Sequence, residues 1–124
     1  MVLIIDDEEL ILRSVTKLLH REGYKTVICS GGEEAVAKIK DENIDLIICD
    51  VRMPGLSGVE TIKKIRDVLK SRGVKPIPEI VITGFVEDEI NKEVENLNVA
   101  GYLYKPFDIH DFLSVVRSSM GAIK

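Results

Sequence analysis

Short apolar runs alternate along the chain with longer stretches of helical periodicity. Val2-Leu3-Ile4-Ile5 is unbroken and rich in β-branched residues, the pattern of a strand buried on both faces. Ile11, Val15, Leu18 and Leu19 then recur at helical spacing, with Gly23 as the stop. Thr26 to Cys29 predicts a second strand, and Ser30-Gly31-Gly32 a turn into a helix carrying Ala35, Val36 and Ile39. Leu46 to Cys49 predicts the third strand. After the turn Met53-Pro54-Gly55 comes a helix marked by Val59, Ile62, Ile65 and Leu69, ending near Gly73. Pro76 and Pro78 bracket the entry to a fourth strand, Ile80 to Thr83, before a helix on Val86, Ile90, Val94 and Leu97. Val99 to Tyr104 predicts the fifth strand, and Ile109, Phe112, Leu113 and Val116 the last helix. Five strands alternating with five helices imply right-handed crossovers and a parallel sheet covered on both faces.

Composition narrows this picture without redirecting it. A chain of 124 residues with 45% hydrophobic and 31% charged content suits one globular domain over 1–124. The net charge of −4 gives no electrostatic footprint for nucleic acid. No apolar run approaches the roughly 20 residues needed to span a bilayer, so no membrane partner is expected. Asp6 interrupts the N-terminal apolar run too early for a secretory signal. Cys29 and Cys49 sit in apolar strand-like runs and read as core residues of a reducing compartment, the cytoplasm.

The candidate chemistry lies at the strand ends. Asp6-Asp7 follow the first strand, Asp50 the third, Thr83-Gly84 close the fourth, and Lys105-Pro106 follow the fifth. Parallel α/β sheets gather ligand-binding groups at the carboxyl ends of their strands. Three carboxylates, a hydroxyl and an ammonium are therefore expected in one pocket, suited to a divalent cation and a phosphoryl group. Taken singly, Asp6 and Asp7 are equally well explained as helix-start residues, and Thr83 as a β-branched strand residue. His20 and His110 have no partner at ligand or triad spacing and are expected to be surface residues. Met53 and Met120 read as packing.

In this order and at these positions, the motifs resemble a response-regulator receiver domain, over Leu3 to about Arg117. The resemblance implies a flavodoxin-like fold, a doubly wound (βα)5 domain with strand order 2-1-3-4-5. It also implies that Asp50 accepts a phosphoryl group, since Val51-Arg52-Met53-Pro54-Gly55 matches the loop after the family's acceptor. Mg2+ would be ligated by Asp7, Asp50 and the backbone carbonyl of Arg52, with Asp6 acting through water. Lys105 would offset charge on the transferring oxygens, its ammonium aimed by a cis bond to Pro106. Thr83 would move onto the phosphoryl oxygen and Tyr102 into the space vacated, with Gly84 leaving room for the group. The expected output is a switched surface on the fourth helix, fifth strand and fifth helix.

The implied partners are a sensor histidine kinase or phosphotransfer protein, and a downstream protein target or fused output domain. A phosphorylation-dependent homodimer stays open. Ala100 and Gly101 replace the acidic pair common before the switch aromatic in one class of winged-helix regulators. The fourth helix is acidic, with Glu87, Asp88, Glu89, Glu93 and Glu95 against Lys92. Phe85 is expected to hinder hydrolytic water. Two other classes fit the residues less well. A haloacid-dehalogenase-like aspartyl-phosphate phosphatase needs a second Asp two residues after the nucleophile, where this chain has Arg52. A flavodoxin-like flavin carrier needs a phosphate-binding first loop, which Asp6-Asp7-Glu8-Glu9 would repel.

Overall fold

The computed structural model describes residues 1–84 and 88–121, with only the backbone described for 88–91 and 121. Among them, strands and helices alternate: β1 (Val2–Ile5), α1 (Glu9–Arg21), β2 (Thr26–Cys29), α2 (Gly32–Asp41), β3 (Leu46–Asp50), α3 (Gly58–Ser71), β4 (Glu79–Thr83), α4 (Asp88–Leu97), β5 (Gly101–Tyr104) and α5 (Ile109–Gly121). The strands form one parallel sheet in the order β2-β1-β3-β4-β5, as expected.

Alternating side chains along each strand divide the core into two layers. Leu3, Ile5, Ile47, Cys49 and Val81 join Ala35, Ile62 and Ile65 on the side of α2 and α3. Val2, Ile4, Leu46, Ile48, Ile80 and Ile82 join Val15, Leu19, Phe112 and Val116 on the side of α1 and α5. The unbroken apolar runs are thus explained: β1, β3 and β4 are buried on both faces throughout. Cys29 and Cys49 are buried and free, as expected. Met53 and Met120 pack against the two layers.

Three boundaries differ from the sequence reading. β3 runs one residue further, to Asp50, which pairs with Ile82. β4 begins earlier, at Glu79, and that carboxylate is buried. β5 starts at Gly101 rather than Val99, because Asn98 takes a left-handed conformation (φ 53°) and the Ala100 N–H is spent on the Glu79 carbonyl (2.9 Å). The described part of the fourth helix starts at Asp88; Phe85, Val86 and Glu87 lie outside the described residues, as do the side chains of Asp88, Glu89 and Ile90.

α3 is fixed at both ends of its function. Ser57 caps its N-terminus, accepting from Glu60 N while Glu60 Oε1 accepts from Ser57 N, each at 3.2 Å. Gly58 then lies hard against β3: a Cβ there would come within 2.2 Å of the Asp50 carbonyl oxygen and 2.7 Å of Val51 Cα. Only glycine allows the helix to begin this close to the strand end. At the other end of the sheet Arg66 forks onto Glu79, with Nε–Oε2 2.9 Å and Nη2–Oε1 2.5 Å.

Candidate functional site

Main-chain bonds between neighbouring strands place the reactive side chains side by side. Asp6 follows β1 and donates its N–H to the Cys29 carbonyl (3.1 Å). Asp50 is the last residue of β3, and Val51 N donates to Ile82 O (3.0 Å). Lys105 follows β5, donating its N–H to the carbonyl of Thr83, the last residue of β4 (2.8 Å). The Lys105–Pro106 bond is cis, as expected. Asp50, Thr83 and Lys105 open onto a cleft of about 610 Å³ whose lining also includes Asp7, Arg52 and Gly84.

The acidic residues converge as expected. One carboxylate oxygen from each of Asp6, Asp7 and Asp50 lies within 4.8 Å of the others. Asp6 and Asp50 are buried and Asp7 is exposed. Asp6 Oδ1 accepts from Glu8 N (2.9 Å), a local turn that leads the chain into α1. Asp6 Oδ2 is buried with no hydrogen-bond partner among the described residues. Burial and the charge of Asp50 push the Asp6 carboxyl up to about 6, against the opposing pull of Glu8 N–H and Lys105. Asp50 Oδ1 accepts weakly from Arg52 N (3.3 Å).

Lys105 is a cation facing this cluster. Its Nζ is 2.9 Å from Glu8 Oε1, 3.3 Å from Asp50 Oδ2 and 3.8 Å from Asp6 Oδ2. Burial works against its charge, yet the bond to Glu8 and the fields of Asp50 and Asp6 outweigh that and hold the ammonium above its ordinary value. Glu8 is the residue that sequence reasoning missed; only the acidic run 6–9 hinted that a fourth carboxylate would face the lysine.

Thr83 is buried at the rim, and Gly84 sits beside it, where a Cβ would touch the Lys105 side chain at 3.5 Å. Tyr102 does not enter the cleft. It is half-buried against the α2–α3 side of the core, with its hydroxyl donating to Val94 O of α4 (3.4 Å). His20 and His110 are exposed, as expected, with His20 Nε2 3.0 Å from Thr26 Oγ1.

The donor set fits a hard divalent cation. Carboxylate oxygens dominate, one of them buried and unsatisfied, and no sulfur or imidazole competes among the described residues. A family model described as response regulator receiver domain matches residues 2–117. The chain belongs to this family.

The receiver is similar along its length to the polar-differentiation response regulator DivK of Brucella ovis. The two are 28% identical over 120 residues, 97% of this chain and 95% of the relative. Among solved structures, a CheY-like receiver domain protein from Methanospirillum hungatei superposes with a TM-score of 0.87 at 27% identity, over 98% of this chain and 93% of that one. Chemotaxis protein CheY4 of Vibrio cholerae does so at 0.83 and 30%, over 95% and 96%. The receiver is a signalling module and not a classical enzyme. Membership implies phosphorylation and a kinase partner in general terms, and the triad Asp6, Asp7 and Asp50 is consistent with the metal site typical of receivers. No described helix is long and apolar enough to cross a membrane.

Proposed function

We propose that this receiver, a single domain over 1–124, takes a phosphoryl group from a kinase or phosphotransfer-protein phosphohistidine onto the Asp50 carboxylate. An Asp50 oxygen attacks phosphorus, the N–P bond breaks, and its electron pair returns to the imidazole, leaving an acyl phosphate on Asp50. The observation that carries this reading is the juxtaposition of Asp50 Oδ2 and Lys105 Nζ at 3.3 Å in the open cleft. Lys105 stays protonated at neutral pH and faces the position where phosphoryl oxygens would gather charge. Mg2+ would be held by Asp7, Asp50 and the Arg52 carbonyl, with Asp6 acting through water, and would supply charge neutralisation on the transferring oxygens.

Thr83 and Tyr102 couple the chemistry to the surface in this reading. Thr83 turns its hydroxyl to the phosphoryl oxygen, Gly84 keeps the approach clear, and Tyr102 gives up its bond to the Val94 carbonyl. Because that bond ties β5 to α4, its loss shifts the population of the surface formed by α4, β5 and α5. The reader of that surface is a protein target or fused output domain in the cytoplasm, or a second phosphorylated copy. The net charge of −4 argues against direct nucleic-acid binding by this domain.

Intact-protein mass spectrometry after incubation with acetyl phosphate and Mg2+ tests the acceptor. The wild type gains about 80 Da, one phosphoryl group, only when the metal is present, and Asp50→Asn gains nothing. A gain that survives in Asp50→Asn would place the acceptor elsewhere.

A further inference from the structure

Lys105 is shared in the resting receiver, and its shortest partner is not the acceptor. Nζ lies 2.9 Å from Glu8 Oε1 but 3.3 Å from Asp50 Oδ2. An ammonium has three donors and must point at least one of them at an incoming phosphoryl oxygen. Two of the three are engaged here, and Glu8 is the partner better able to loosen its hold, since its side chain is 56% exposed against 6% for Asp50. Its position is built in. The Glu8 backbone is extended at the N-terminus of α1, and its N–H is held by Asp6 Oδ1, so the side chain reaches back across the cleft to a lysine 97 residues away.

We propose that Glu8 is a positioning residue that competes with the phosphoryl group for Lys105, holding the lysine in the resting state and weakening the site's grip on the phosphorylated one. The inference rests on the acceptor role of Asp50 and deepens it. Two effects act in one direction. The Glu8–Lys105 ion pair draws the ammonium toward Glu8 and away from an incoming oxyanion, and the Glu8 carboxylate adds negative charge beside a doubly charged group. Glu8 is therefore a brake on formation of the active state, separate from the residues that perform the chemistry.

The test is calorimetric titration of the Mg2+-saturated protein with beryllofluoride, a tetrahedral anionic mimic of the acyl phosphate that needs no phosphoryl transfer. Glu8→Gln keeps the shape of the side chain and removes its charge. It is expected to bind the mimic about three- to fivefold more tightly than wild type, the range set by a partly exposed ion pair. Glu9→Gln is the control: it removes the same charge one residue along, from a carboxylate paired instead with Arg13 at 2.6 Å. Its affinity is expected to match wild type. Equal or weaker binding by Glu8→Gln overturns the proposal, and so does equal tightening by Glu9→Gln, which would reduce the effect to net charge. If wild type and both variants all fail to bind the mimic, the acceptor reading itself falls, and the role of Glu8 with it.

Discussion

Asp6 has no solvent-accessible surface, yet its carboxyl must share a pocket with Asp50. Its ionisation is raised from 3.8 in the open chain to about 6 in the fold. The folded state thus binds more protons than the unfolded state between those values, so this residue's contribution to stability falls as pH rises through that window. At neutral pH the ionised Asp6 is a net burden on the order of 2–3 kcal/mol. In metal-free buffer, Asp6→Asn is expected to be more stable than wild type at pH 7 by up to that amount. The difference shrinks toward pH 4, as urea denaturation at several pH values would show; a variant no more stable at neutral pH would contradict it. The two thiols are also set by burial. It raises Cys29 to about 12 and Cys49 further, so neither is a reactive centre in the folded protein.

Elements carry the geometry, and they divide the sheet into two ends with different tasks. Glu79 opens β4 and Thr83 closes it, so the Arg66–Glu79 fork stands about 13 Å from the cleft at 3.3 Å per residue. The side-chain hydrogen bond to Glu79 raises the Arg66 ionisation further, and the pair ties α3 to the sheet's amino end. Removing Arg66 leaves a buried carboxylate unpaired. Arg66→Ala is expected to cost about 2 kcal/mol, less than for a fully buried pair because Arg66 is 37% exposed. Thermal melting would measure it, and Glu79→Gln in the same background should recover most of the loss. A melt unchanged by Arg66→Ala would show the fork to be ornamental.

At this scale the sequence is readable where periodicity decides and opaque where a single side chain does. Two-sided burial made β1, β3 and β4 visible as apolar runs, and the ends of parallel neighbours then had to meet, which brought Asp6, Asp7, Asp50 and Lys105 together. Glu79 was invisible for the opposite reason: a glutamate after a proline reads as loop unless its partner is known, and Arg66 lies 13 residues back on a helix. Val99 and Ala100 looked like strand because they are apolar, but the left-handed turn at Asn98 had already set the register. The choice of Glu8 as partner for Lys105 is a side-chain conformation, which no pattern encodes.

For the whole molecule, acidic density in the cleft makes the folded state responsive to cations. A divalent ion that binds only the native site stabilises it by about 2.7 kcal/mol at roughly a hundredfold excess over its Kd. Mg2+ is therefore expected to raise the melting temperature of wild type in a concentration-dependent manner, and to do so much less for Asp7→Asn. Calorimetric scans across a Mg2+ series would read this directly, and an equal rise in both proteins would place the ion elsewhere.

The separation of the sheet's two ends also bears on how such a chain can change over generations. Substitutions around Arg66 and Glu79 act on robustness about 13 Å from the cleft, whereas those at Asp6 act on robustness inside it. A lineage can therefore accumulate tolerance at the amino end first and draw on that reserve later, when changes in the cleft would cost stability. The distance along β4 is what keeps the two histories independent.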